Sequence, residues 1–161
     1  MNKPLVLVID DEQKQTDMVA KLIEATGKYQ AVKAYNAKEG FEVLKKSKAW
    51  LKPNRVKLIL LDIKMPDMDG LQFLEEMRKQ YTEEEIGVIM LTAYEDEDKW
   101  ERATSGYVAG YLKKPVIEIE LLAVLDRFFS NAETRSKMTI KTFERHIEKK
   151  KDFEAEKGTR P

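Results

Sequence analysis

Short apolar runs divide the first 115 residues, at positions 5–9, 58–61, 88–91 and, more softly, 107–112. The first three are continuous rather than alternating, which is the pattern of strands buried on both faces of a parallel sheet. A further run at 31–35 is interrupted by Lys33 and predicts a strand nearer an edge. Helical periodicity fills the gaps. Met18, Val19, Leu22 and Ile23 mark one amphipathic stripe, Phe41, Val43 and Leu44 a second, and Leu71, Phe73, Leu74 and Met77 a third. A more polar helix is predicted over 96–105, and a fifth stripe carries Ile117, Leu121, Leu122, Leu125 and Phe128.

Strands that alternate with helices predict an α/β fold: a doubly wound, five-stranded parallel sheet over residues 1–129 with helices on both faces. In such sheets ligands bind at the carboxyl ends of the strands. Residues 130–161 differ in character and predict a charged, helical C-terminal extension. They hold nine Lys/Arg against six Asp/Glu, leaving the first 129 residues at 20 − 23 = −3. Ile140, Phe143 and Ile147 share a helical face there, and Ser130 with Glu133 fits a capping box. One heptad falls short of a coiled coil.

Composition narrows the function classes. Lys+Arg and Asp+Glu both count 29, so the balance argues against a wholesale nucleic-acid binder. With no cysteine there is neither a disulfide framework nor a thiolate metal site. The single histidine, His146, makes a Ser–His–Asp triad an unpromising reading, and it is read as a solvated tail residue. Trp50 and Trp100 are read as packing or surface aromatics. Nothing approaches a signal peptide or a membrane span, so a cytoplasmic protein is expected.

The polar residues at the predicted strand ends are specific. Asp10 and Asp11 follow the first run, and Asp62 follows the third, ahead of Lys64-Met65-Pro66-Asp67-Met68-Asp69-Gly70. Thr92-Ala93 closes the fourth, and the last runs into Lys113-Lys114-Pro115. Three converging carboxylates are costly to ionise together without a cation, and oxygen ligands of this kind suit Mg²⁺. A lysine and a hydroxyl at the same rim could stabilise a phosphoryl group moving to one carboxylate. Each element alone reads as an ordinary turn or strand end; the set together does not.

That set, Asp10-Asp11, Asp62 with Met65-Pro66-Asp67-Met68-Asp69-Gly70, Thr92-Ala93 and Tyr111-Leu112-Lys113-Lys114-Pro115, closely resembles the response regulator receiver domain of two-component signalling (the CheY-like superfamily) over about residues 3–129. The resemblance implies strand order 2-1-3-4-5, an arrangement whose general form is known from this family. It implies Asp62 as phospho-acceptor, served by a sensor histidine kinase or a histidine phosphotransfer protein. It implies Mg²⁺ bound directly by Asp11, chiefly through water by Asp10, and by Asp62 and the Lys64 carbonyl. Thr92 would bond a phosphoryl oxygen, Lys114 would pair with it, Tyr111 would be the aromatic switch, and the Lys114–Pro115 bond would be cis. Positions Lys64 and Tyr94 would tune phosphoryl lifetime. The family usually places glycine four residues before the switch aromatic; here that position is Tyr107, preceded by Gly106.

The function expected is therefore that of a phospho-accepting signalling domain rather than an enzyme, with an unknown downstream protein as partner and a homodimer through the tail as a further candidate. No direct contact with nucleic acid or membrane is expected. The alternative is the amino-terminal regulatory receiver of a longer enzyme or output-domain protein. A metal-dependent phosphohydrolase is less favoured, because Asp62 is followed two residues on by Lys64 rather than by a second aspartate.

Overall fold

The computed structural model describes residues 2–93 and 108–130. The expected helix at 96–105, the tail from 131, and Tyr94, Trp100, Gly106, Tyr107 and His146 lie outside them. The described chain runs β1 (Leu5–Ile9), α1 (Gln13–Ala25), β2 (Gln30–Ala34), α2 (Ala37–Lys46), β3 (Val56–Asp62), α3 (Gly70–Arg78), β4 (Gly87–Thr92), β5 (Gly110–Lys113) and α4 (Glu118–Ser130). The five strands form one sheet in the order β2-β1-β3-β4-β5, and every pairing is parallel.

Burial on both faces explains the unbroken apolar runs. Leu5, Leu7 and Ile9 pack with Leu44 of α2 and with Leu71, Phe73 and Met77 of α3. Val6 and Val8 face the other way, against Val19 and Ile23 of α1 and Leu121, Leu125 and Phe128 of α4. Every residue of β1, β3 and β4 except Lys57 is buried, whereas β2 exposes Gln30 and Lys33, as an edge strand with an interrupting lysine should. Gly87 begins β4 under Phe128, whose ring would stand 2.3 Å from any β-carbon placed there. A bare backbone at that point lets α4 lie flat on the sheet.

Polar residues set the helix starts. The Asn36 side chain accepts the Glu39 N–H at 2.8 Å. Asp69 and Gln72 bond each other's backbone N–H groups at 2.9 Å each, a reciprocal capping box that fixes where α3 begins.

Three expectations need correction. β5 is four residues long and starts at Gly110; Val108 and Ala109 are buried but lie outside the strand. Ile117 precedes α4, its carbonyl accepting the Leu121 N–H at the helix start, and its side chain is 52% exposed. Met18 is exposed on α1, and its expected inward place is taken by Thr16 and Ala20.

Candidate functional site

The order β2-β1-β3-β4-β5 brings the carboxyl ends of β1, β3, β4 and β5 side by side. Asp10 follows β1, Asp62 is the last residue of β3, Thr92 the last of β4, and Lys114 the first after β5. Asp10, Asp11, Asp62, Thr92 and Lys114 therefore fall on one rim, with Lys64 in the loop just beyond Asp62, whereas Tyr111 lies within β5.

Lys114 ties that rim together. Its Nζ stands 2.9 Å from Oδ2 of Asp10 and 3.1 Å from Oδ1 of Asp62. Its backbone N–H donates to the Thr92 carbonyl at 2.8 Å, which fixes where the side chain starts. The Lys114–Pro115 peptide bond is cis, as the resemblance implies. Asp10 is buried and held from three sides. Its Oδ1 accepts the Glu12 N–H at 3.0 Å, its N–H donates to Ala34, and its carbonyl accepts the Thr16 hydroxyl at 2.8 Å. Asp11, next in the chain, is exposed.

Carboxylate oxygens of Asp10, Asp11 and Asp62 can be chosen within 4.8 Å of one another. Asp11 and Asp62 border a cavity of about 320 Å³ whose walls also include Lys64, Ala93 and Lys114. One ammonium faces two buried carboxylates and a third nearby, so the site carries surplus negative charge. That donor set fits a hard divalent cation such as Mg²⁺. Asp10 already uses both oxygens on protein donors, which suits contact through water. Asp11 leaves its carboxylate open to solvent.

The electrostatics follow from the packing. Burial, and then the charge of Asp10, push the Asp62 carboxyl up to about 7, against the opposing pull of Lys114. Burial works to lower the Lys114 ammonium, but its contacts with Asp10 and Asp62 outweigh it, and its pKa is raised. The site thus holds a lysine locked in its charged form beside a carboxylate that shares its field with another.

The loop after Asp62 is shaped for access. The Lys64 N–H donates to Oδ1 of Asp62 at 3.3 Å, while its side chain is exposed. Asp67 takes a positive φ of 65°, a conformation that aspartate tolerates better than most residues. Tyr111 lies in β5, half-buried against the face that carries α2 and α3. Thr92 is buried at the rim.

One contributor escaped the sequence reading, and the part played by another, Gly70, is seen only in the structure. Thr16 bonds the carbonyls of Asp10 at 2.8 Å and Glu12 at 3.1 Å, and so holds the aspartate loop onto α1. Its spacing with Val19, Ala20 and Ile23 on one helical face could have revealed it. Gly70 donates its N–H to the Ile63 carbonyl at 2.8 Å and seats the start of α3 under the acceptor strand.

The family model of the response regulator receiver domain matches residues 6–126. The chain is 30% identical over 118 residues to the cyclic di-GMP phosphodiesterase response regulator RpfG of Xanthomonas campestris, covering 73% of this chain and 30% of that protein. It is 31% identical over 123 residues to an uncharacterized 14.6 kDa protein of Leptolyngbya boryana, covering 76% of this chain and 88% of that one. Among solved structures, a response regulator receiver domain protein from Clostridium thermocellum superposes with a TM-score of 0.67 at 29% identity, covering 83% of this chain and 97% of that one. The chain belongs to the response regulator receiver domain family. Among the described residues no helix is long and apolar enough to cross a membrane.

Proposed function

We propose that this receiver accepts a phosphoryl group on Asp62 from a phosphohistidine of a sensor kinase or phosphotransfer protein. The observation that carries this reading is the placement of the Lys114 ammonium between the Asp10 and Asp62 carboxylates, at 2.9 and 3.1 Å, on an open rim with Asp11. An Asp62 oxygen attacks phosphorus in line, the phosphorus–nitrogen bond to the donor imidazole breaks, and the departing nitrogen keeps the electron pair and takes a proton. Bound Mg²⁺, held by Asp10, Asp11, Asp62 and the Lys64 carbonyl, would supply positive charge to the transferring oxygens.

The chain's own residues supply the rest. Lys114 neutralises charge on the phosphoryl group, and Thr92 donates its hydroxyl to another of its oxygens. Filling both contacts draws the ends of β4 and β5 toward Asp62, and Tyr111 in β5 reads out the shift as a switch. By the family resemblance, Lys64 and Tyr94 set the lifetime of the phosphoaspartate. Residues 1–129 form the receiver and 130–161 an extension that serves a downstream protein partner.

The test is incubation with Mg²⁺ and acetyl phosphate, followed by intact mass. One added phosphoryl group is expected, and none in Asp62→Asn. Undiminished labelling of that variant would place the chemistry elsewhere.

A second reading concerns context. The chain spans 30% of RpfG, whose name joins a receiver to a phosphodiesterase. This favours, as an alternative, a receiver that regulates a longer enzyme or output-domain protein. A phosphohydrolase finds no comparable support.

A further inference from the structure

At the amino-terminal end of β3, opposite the phospho-acceptor rim, the connection from α2 carries an unusual surface. Between Glu42 and Asp62 the chain holds six basic residues, Lys45, Lys46, Lys48, Lys52, Arg55 and Lys57, and no acidic one. All but Lys57 are exposed. Among the described residues none of these cations is paired with a carboxylate. At the centre of the cluster a turn closes through the Lys52 N–H, which donates to the Ala49 carbonyl at 3.2 Å.

The two residues at the apex of that turn are Trp50 and Leu51, which are 86% and 93% exposed. Two adjacent large apolar side chains this bare, rimmed by charge, form the kind of patch that marks an interaction surface. Leu51 also has φ at 58°, the left-handed region usually left to glycine or asparagine. The leucine thus sits exposed at the apex in a backbone state that leucine seldom adopts.

The apex is not a loose end. Buried Asn54 donates to the Leu44 carbonyl at 2.8 Å and accepts the Val56 N–H at 2.9 Å. Arg55 N–H donates to the Ser47 carbonyl at 3.0 Å. These bonds clamp both ends of the loop to the domain, so Trp50 and Leu51 stand on a fixed base ringed by cations.

We propose that this promontory docks the protein on an anionic lipid surface. Tryptophan favours the interfacial zone between headgroups and acyl chains, and lysine stems can lie along it while their charges reach lipid phosphates. The apex favours lipid over nucleic acid, because a single aromatic, Trp50, offers no run of stacking platforms while Leu51 offers acyl chains an aliphatic wedge. The neighbouring connection before β4 exposes Glu83, Glu84 and Glu85, which confines the attraction to the α2–β3 loop and dictates a tilted, loop-first approach. Docked this way, the rim with Asp62 faces away from the lipid and stays open to a protein partner. Two small anchors and a handful of charges give reversible, salt-sensitive binding.

The experiment is co-sedimentation of the full chain with large vesicles of phosphatidylcholine containing one third phosphatidylglycerol, and with pure phosphatidylcholine. Retention on the anionic vesicles alone is expected, lost in high salt. It should fall at least tenfold in Trp50→Ala/Leu51→Ala and in Lys46→Glu/Lys52→Glu, with far-ultraviolet circular dichroism unchanged. In a Trp100→Phe chain, Trp50 emission should shift to the blue on vesicle addition. No retention, or equal retention on neutral vesicles, overturns the proposal. So does retention that survives both loop variants, since the Lys/Arg of residues 131–161 would then be its source. Capture by a single-stranded oligonucleotide in preference to vesicles assigns the loop to nucleic acid and also overturns it.

Discussion

The main-chain carbonyl of Asp62 lies so close to Gly70 that a β-carbon on the glycine would come within 2.1 Å of the carbonyl oxygen. The acceptor strand and the first turn of α3 share that space, backbone against backbone. The loop that carries Lys64 can therefore fold back and cap α3 through Asp69 only because residue 70 has no side chain.

Gly70→Ala tests this contact directly. Relief by moving a flexible side-chain tip is not available, because the atoms met are backbone atoms of Asp62 and Ile63. A loss of about 3 kcal/mol is expected, at the upper end of overpacking effects and well beyond the roughly 1 kcal/mol that alanine gains in a helix. Urea denaturation measures it, and a midpoint equal to that of the parent would show that the strand and helix can separate freely. Phosphorylation should fall as well, since any shift moves Asp62.

The Asp62 carboxyl gives the protein a pH signature. Its folded-state pKa of about 7 stands above the unfolded value of 3.8, so the folded state binds the extra proton between those limits. Burial of this charge therefore destabilises the fold above pH 7, and the penalty is relieved as pH falls toward 4. In metal-free buffer, stability should rise from pH 8 to pH 5 by about 1–3 kcal/mol, opposite to the usual acid trend of a salt-bridged aspartate. Asp62→Asn should be more stable than the parent at pH 8 and flatten the profile, and added Mg²⁺ should stabilise the parent there more than the variant. Thermal melts across pH decide the matter; a parent that only weakens on acidification contradicts it.

How far the sequence reveals this depends on which forces dominate at each position. Strands β1, β3 and β4 are legible because both their faces are buried, which forces an uninterrupted apolar run. β5 is misplaced by its own flanks: Val108 and Ala109 are buried without belonging to the strand, and an apolar pattern cannot separate those cases. Ile117 fits the helical stripe by spacing but precedes the helix, where spacing carries no information. The rim residues Asp10, Asp62, Thr92 and Lys114 are legible because strand ends converge in a doubly wound sheet. Thr16 and Gly70 are not, since their roles depend on backbone carbonyls that sequence patterns do not display. Trp50 reads from sequence as a packing or surface aromatic, and its 86% exposure, like that of Leu51, is settled only by the loop's geometry.

Asn54 supplies a further test, independent of the site. It is buried, and its side chain serves the Leu44 carbonyl and the Val56 N–H and reaches the Tyr81 hydroxyl at 3.4 Å. Asn54→Leu matches its size but strands these partners. Buried groups left unsatisfied cost about 1–3 kcal/mol each, so a total near 3 kcal/mol is expected. Chemical denaturation should show it, together with faster amide exchange across residues 47–56. An unchanged midpoint would mean that the loop base is held by the Ser47–Arg55 bond alone.

Phosphoryl lifetime is a matter of access. Lys64 and Tyr94 lack a side-chain amide or carboxylate that would orient an attacking water. Slow self-dephosphorylation is expected, with decay accelerated severalfold in Lys64→Asn and in Tyr94→Glu. Decay of phosphorylated protein after donor removal measures this; loss within seconds in the parent, or no acceleration in either variant, would sink it.

The last prediction concerns transmission. Lys114 is bonded through its backbone to Thr92 at 2.8 Å and through its side chain to Asp62 at 3.1 Å, so one residue couples β4, β5 and the acceptor. A phosphoryl group on Asp62 moves the negative charge outward from the carboxylate, and the ammonium, which stands 2.9 Å from Asp10 and 3.1 Å from Asp62, is drawn after it. Following it pulls the start of the Pro115 turn and, through β5, the half-buried Tyr111 against the α2 and α3 face. Amide exchange should therefore change over residues 92–93 and 108–130 on phosphorylation, and remain unchanged over β1 and β2. Lys114→Ala should still accept a phosphoryl group, more slowly, yet show no such exchange response. The effect is a population shift, so its size reports the differential affinity of the two states for the phosphoryl group. An intact exchange response in Lys114→Ala would place the coupling in Thr92 and leave the lysine a purely electrostatic part.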